Sequence, residues 1–251
     1  MLNVEGVTHR YQGPAGIIEA LASTTFQVAD GEFICIVGPS GCGKSTLLRI
    51  IAGLLLPSSG AVMLDGATVV APQRRIGLVF QQTNLMPWRS VLDNIALPLE
   101  LAGATREARD EQATSVIKHV GLDGFEKAYP AELSGGMAQR VALGRALVQN
   151  PDILLLDEPF AALDALTREQ MLIELLALWS GDHKTAIMVT HDITEAVFLA
   201  DRVLVMSQRP GHIRAIVNVD LPRPRRLEMI HEPGFGELVQ QIRQNIGALT
   251  V

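Results

Sequence analysis

One stretch constrains this 251-residue chain more than any other: Gly38-Pro39-Ser40-Gly41-Cys42-Gly43-Lys44-Ser45-Thr46. It follows a strand-like apolar run, Phe33 to Val37, and opens a helix-like run, Leu47 to Ala52. Strand, glycine loop and helix in that order fit G-x-x-x-x-G-K-[ST], a loop built to hold a nucleotide phosphate. The glycines let the chain curl until successive backbone N–H groups converge on phosphate oxygens. The N-terminus of the next helix adds partial positive charge at the same place. Lys44 then reaches the β/γ-phosphates and the Ser45 hydroxyl helps to hold Mg²⁺. This spacing predicts binding of ATP or GTP.

The rest of the chain alternates in a way that suits such a loop. Leu2 to Tyr11 and Ala20 to Val28 read as strands before Phe33–Val37. Ala61 to Leu64 ends at Asp65-Gly66, a hairpin signal, and Ile76 to Phe80 fits a buried strand. From Val91 the period becomes helical, with Pro98 expected to kink or interrupt the first segment. Arg106–Val120 and Gly135–Gln149 read as further helices, and close packing is expected at Gly144. Strands Ile153–Leu156, Ala186–Val189 and Val203–Ser207 alternate with helices Ala165–Ser180 and Ile193–Ala200, the mark of a parallel sheet. A last strand, Gly211–Val219, precedes Pro222-Arg223-Pro224-Arg225-Arg226 and a helix from about Glu237 to Ile246.

Composition narrows the class. At 48% hydrophobic and 19% charged residues, the chain has the material for a substantial core rather than disorder. Its formal charge of −6 argues against a dedicated nucleic-acid surface. No window reaches the roughly 18 apolar residues of a membrane span, and Met1–Arg10 lacks a secretion signal, so a cytosolic chain is expected. Cys35 and Cys42 have neither disulfide-framework nor zinc spacing. Cys42 is expected to be a small tolerated loop residue rather than a redox thiol.

Three further clusters carry chemistry. Ile153-Leu154-Leu155-Leu156-Asp157-Glu158 delivers two carboxylates at the C-terminal end of a buried strand, where ligands of open α/β sheets bind. Asp157 is placed to hold Mg²⁺, and Glu158 to orient and deprotonate a water attacking the γ-phosphate. His191, in Thr190-His191-Asp192 after the next strand, shares that rim and can hydrogen-bond the γ-phosphate. His9, His119, His183, His212 and His231 show no metal-motif spacing and are expected to serve surface or packing roles. Leu133-Ser134-Gly135-Gly136-Met137-Ala138-Gln139-Arg140 joins a helix N-cap serine to bare glycine backbone, a second anion-binding surface. One chain already holds its nucleotide in the phosphate loop, so this element makes sense if it serves a neighbour. A plain N-cap is the alternative.

These motifs, in this order from Leu2 to about Val219, resemble the nucleotide-binding subunits of ABC transporters. LSGGMAQR at Leu133–Arg140 is similar to the family's signature motif, with Met137 where a polar residue is common. Ala162-Leu163-Asp164 resembles the D-loop, His191 the switch histidine, Gln81 the Q-loop glutamine that touches Mg²⁺, and Tyr11 the aromatic that stacks on adenine. The resemblance implies an α/β fold: a phosphate-loop, RecA-like parallel-sheet core, an N-terminal antiparallel β subdomain and a helical signature subdomain. It divides the chain into an ATPase domain at 1–220, with helical residues 84–149 inserted, and a tail at 221–251.

The resemblance also implies a mechanism. Two copies pair head to tail, and Ser134, Gly135, Gly136, Gln139 and Asp164 of each complete the ATP site of the other. Glu158, His191 and Gln81 carry catalysis, while Ser45, Gln81 and Asp157 hold the metal. Arg74-Arg75-Ile76-Gly77-Leu78-Val79-Phe80-Gln81-Gln82, Leu85-Met86-Pro87-Trp88, Arg209-Pro210-Gly211 and Leu221-Pro222-Arg223-Pro224 resemble the nitrate/sulfonate/taurine-type importers. Relatives of that group also take up vitamin precursors. Integral-membrane permease subunits, an extracytoplasmic substrate-binding protein and a peripheral position on the cytoplasmic face follow as expectations. The competing class is a soluble ABC ATPase acting on nucleic acid or ribosomes, but the long insertions or doubled cassettes usual there are missing here.

Overall fold

Two apolar patterns produce two kinds of strand in the computed structural model, which describes residues 1–13, 16–182 and 184–247. In chain order come β1 (Leu2–Gly13), β2 (Gly16–Val28), β3 (Phe33–Val37), α1 (Lys44–Ile51), β4 (Ser59–Leu64), β5 (Ala67–Thr68) and β6 (Ile76–Val79). Next are α2 (Val91–Leu101), α3 (Arg106–His119), α4 (Gly135–Leu147), β7 (Ile153–Asp157) and α5 (Ala165–Asp182). The chain continues with β8 (Thr185–Val189), α6 (Ile193–Leu199), β9 (Arg202–Met206), β10 (Ile213–Asn218) and α7 (Pro233–Ile246). β1 buries Leu2, Val4, Val7 and His9 between more exposed neighbours, as a one-sided sheet requires. Every residue of β3, β7 and β8 is buried, as expected of parallel strands covered on both faces.

The chain divides into two compact units, Met1–Gln73 with Thr185–Val251, and Arg74–Lys184. The first unit holds an antiparallel sheet in the order β2-β1-β4-β5. It also holds β10-β9-β3-β8, in which β3 pairs in parallel with both β8 (Ile36↔Val189) and β9 (Ile36↔Leu204). β10 runs antiparallel to β9. The second unit holds the parallel pair β6–β7 (Val79↔Leu156) and the helices α2 to α5.

The helical core of the second unit is built from Val91, Ile95, Ala113, Ile117, Val141 and Val148. Gly144 lies where α2, α3 and α4 meet, and a Cβ there would stand 3.0 Å from Ile95 and 3.2 Å from Val116. Close packing therefore explains that glycine. Pro98, by contrast, does not interrupt α2, which runs on to Leu101. Proline forfeits one i→i−4 bond, and tertiary contacts such as Gln149 Nε2 donating to Pro98 O at 3.2 Å help to hold the turn.

The segment after β10 is tied to the first unit by two arginines. Arg223 pairs with Asp201 at 2.7 Å and donates to Leu199 O. Arg225 is buried and donates to Val197 O and Phe198 O at 3.0 Å each and to Val219 O at 3.3 Å. The last carbonyls of α6 are thus satisfied by cations, which a helix C-terminus favours. Burial pulls the Arg225 guanidinium down to about 10. α7 begins at Pro233, four residues before the glycine-broken sequence suggested, because proline is well suited to the first helical position. No helix among the described residues is long and apolar enough to cross a membrane. Arg225→Met, which leaves these carbonyls without their donors, is expected to lower stability by about 2–3 kcal/mol, read as a lower urea midpoint.

Candidate functional site

In the first unit, the phosphate loop leaves the C-terminal end of β3 and α1 starts at Lys44. Gly43 forms the N-cap with φ 106, and no side chain caps the helix, unlike α2, α3, α4 and α6 with Ser90, Thr105, Ser134 and Asp192. A Cβ at Gly43 would fall 2.8 Å from Ala20 O and 2.7 Å from Leu21, so glycine is needed both for its dihedral and for the close approach. The first N–H groups of α1 have no intrahelical partner, which is the chemistry an anion completes. Lys44 is buried, and its Nζ donates to Gly38 O at 2.9 Å and to Pro39 O at 3.1 Å within the same loop. Cys42 is buried and burial raises its thiol pKa, which disfavours the thiolate that redox chemistry needs.

Two more candidates lie in this unit. Tyr11 is partly exposed, its hydroxyl 3.1 Å from Thr46 Oγ1 and its ring edge-on to His9 at 4.5 Å. The residue expected to stack on adenine is therefore anchored to the last residue of the phosphate loop. His191 follows β8, which lies beside β3 in parallel, so the two leave the same sheet edge. Thr190 N donates to Ile36 O at 3.2 Å. Thr190 Oγ1 donates to buried Glu195 at 2.6 Å, and Asp192 caps α6 through Thr194 N and Glu195 N. The backbone on either side of His191 is fixed by these bonds.

In the second unit, β6 and β7 run parallel, so Gln81 and the Asp157–Glu158 pair emerge at one edge. Asp157 is buried, and Glu158 has φ 45. A glutamate in the left-handed region costs energy that a fold retains mostly at functional positions. Beyond Gln81 the segment to Ser90 is gripped from two helices. Buried Asn94 accepts from Met86 N at 2.8 Å and donates to the carbonyls of Met86, Arg89 and Ser90. Arg145 donates to Asn84 O at 2.9 Å and Thr83 O at 2.6 Å. No motif marks Asn94 or Arg145; the signal for Asn94 is a polar residue among the apolar positions of α2, and half-buried Arg145 leaves none.

Ser134 caps α4, its Oγ accepting from Met137 N at 3.3 Å. Gly135 is exposed, while Gly136 and Gln139 are buried. A Cβ on Gly136 would come 2.7 Å from Thr167 Cγ2, so contact with α5 by itself requires glycine there. Asp164 accepts from Thr167 N at 3.0 Å and Thr167 Oγ1 at 2.6 Å, which closes the turn ahead of α5. Of the remaining histidines, His212 lies 2.9 Å from Ser207 Oγ in a turn and His9 packs on Tyr11, while His183 lies outside the described residues.

The family described as ABC transporter matches residues 21–161. This chain belongs to the ABC transporter family. It is an ATP-binding subunit of that family and, as such, an ATPase. An uncharacterized ABC transporter ATP-binding protein of Methanocaldococcus jannaschii is 52% identical over 224 residues, 89% of this chain and 84% of that one. The taurine import ATP-binding protein of Rhizobium johnstonii is 48% identical over 90% of this chain and 88% of its own length. An aliphatic sulfonates import ATP-binding protein of Bacillus cereus is 41% identical over 95% of this chain and 98% of its own. Among solved structures, a dimeric post-hydrolysis ATP-binding cassette bound to ADP and Pi superposes with a TM-score of 0.78 at 36% identity, covering 88% of this chain and all of that one.

The Thr167 hydrogen bonds hold the Asp164 carboxyl below the usual aspartate range. A depressed folded-state value means that the carboxylate stabilises the fold above the unfolded value and that this contribution fades as pH falls through the folded one. Asp164→Ala is therefore expected to melt earlier than the parent at pH 7, with the gap closing as the medium becomes acidic enough to protonate aspartate.

Proposed function

We propose that the chain is the ATPase of an importer for small sulfonate-type anions, with taurine and alkanesulfonates as the first candidates. The observation that carries this reading is the near full-length match to import ATPases, which reaches 98% of the Bacillus cereus protein. The sequence resemblance at Arg74–Gln82, Leu85–Trp88 and Arg209–Gly211 supports the same group, and a vitamin-precursor cargo stays within it. Permease subunits would hold the protein on the cytoplasmic face, with an extracytoplasmic binding protein supplying the solute. Trp88, 71% exposed on the segment that Asn94 and Arg145 grip, is a suitable contact for the permease. Loss of taurine or alkanesulfonate uptake in cells lacking this ATPase tests the cargo; unchanged uptake of both rejects it.

In the cycle we infer, Gly38–Thr46 holds the phosphates, Tyr11 the adenine, and Glu158 takes a proton from the attacking water. His191 donates to the γ-phosphate and Gln81 reports its presence to the permease. Ser45 in one unit, and Gln81 and Asp157 in the other, each offer a hard oxygen donor of the kind Mg²⁺ takes, and the ion when bound would neutralise developing phosphate charge. The Ser134–Gly136 turn and Gln139, with Asp164, act on the nucleotide of a second copy. The two dimeric cassette structures of one relative support that pairing.

Glu158→Gln is expected to lower turnover by about 10²–10⁴ while ATP binding persists, the usual contribution of a general base. Hydrolysis at the parent rate would remove Glu158 from that role. Ser134→Ala is expected to stop hydrolysis while a single copy still binds ADP. Full activity in a strictly monomeric sample, measured by light scattering during turnover, would exclude the shared site.

A further inference from the structure

The turn joining β9 to β10 carries Arg209-Pro210-Gly211, a motif to which the cycle above gives no task. It lies against the outer side of the phosphate loop. Arg209 directs both Nε and an Nη at one atom, the Gly41 carbonyl oxygen, each at 3.1 Å. Gly211 lies so close to the next peptide that a Cβ on it would stand 1.9 Å from Cys42 O. Two consecutive carbonyls of the loop are therefore held from outside, one by a cation and one by close packing.

The turn itself is stiff. Ser207 Oγ lies 2.9 Å from His212 Nδ1 and accepts from His212 N at 3.1 Å. Gly211 N donates to Ala20 O at 3.1 Å and Gly211 O accepts from Ala22 N at 2.9 Å, which fastens the turn to β2. A peptide group is planar, so its carbonyl and its N–H point to opposite sides. Gripping Gly41 O orients Cys42 N–H, which donates back to Pro39 O at 3.3 Å and keeps the bend closed. Fixing Cys42 O likewise sets the direction of Gly43 N–H, the last amide before the open helix terminus.

The structure assigns Arg209 a positioning role: it braces the phosphate loop by orienting its peptides, and it raises affinity for nucleotide without touching it. This rests on the reading of Gly38–Thr46 as the phosphate site. Two substitutions of equal length separate the brace from a simple charge effect. Arg209→Gln keeps an amide nitrogen bonded to Cδ, where Arg209 carries Nε, but removes the charge. Arg209→Met removes charge and donor together.

Calorimetric titration of the isolated chain with Mg-ADP is expected to show R209M weakened about three- to tenfold, the loss of one charge-assisted bond at an exposed position. R209Q should remain within about twofold of the parent, and without nucleotide R209M should melt no more than about 2–4 °C below the parent, the reach of one lost bond in a chain of this size. The inference is overturned if R209M binds as the parent does. It is equally overturned if R209Q falls as far as R209M, because the guanidinium would then act through its field on the phosphates. Lys44→Ala serves as the control: undiminished ADP binding there would sink the phosphate-site reading, and the brace with it.

Discussion

Peptide N–H groups converge on one point only where the chain turns more tightly than side chains permit. In this protein the packing around the loop depends on that requirement. Gly38 has Met206 at 3.0 Å from where its Cβ would lie, and Gly43 has the backbone of β2 at 2.8 Å. The loop is consequently walled by β2, by the end of β9 and by the turn after it. Burial of Lys44 and Cys42 follows from the same enclosure. A flexible glycine loop in solution would lose entropy on binding an anion; one enclosed in this way has lost most of it during folding.

Parallel pairing supplies the second ordering principle. Because β3 and β8 point the same way, the phosphate loop and His191 emerge together; because β6 and β7 do, Gln81 emerges with Asp157 and Glu158. Residues far apart in sequence are thus brought to common edges by hydrogen-bond direction alone. What each edge then needs is rigidity, and local polar contacts supply it: Thr190 with Glu195, the Asp192 cap, and the Asn94 amide with its four bonds.

The parts legible in the sequence are those with a local cause. The phosphate loop, the apolar strands, Ser134 as a cap and the two carboxylates after β7 each announce themselves within a few residues. Gly144 could be read as a packing glycine from its place inside a helix, although its partners Ile95 and Val116 lie far off in sequence. What escaped the sequence depends on contacts between distant segments. Arg209 on Gly41 spans 168 positions and Arg145 on Thr83 spans 62, and neither distance leaves a periodic trace. Pro98 was misleading because the cost of a missing helix bond is offset by neighbours that no window around residue 98 contains. The start of α7 was obscured by glycines at 234 and 236, which weaken a helix without forbidding one.

The division of the chain into a continuous unit, Arg74–Lys184, and one assembled from both flanks has a kinetic corollary. Pairing Ile36 with Val189 closes a loop of roughly 150 residues, an entropic cost of about 4 kcal/mol before any contact offsets it. Within the continuous unit, pairing Val79 with Leu156 closes a loop about half as long, and its helices meet partners close in sequence. If it forms early, it shortens the effective tether between β3 and β8 and lowers that cost. Its ordering would then be a folding aid for the very sheet that carries the phosphate loop.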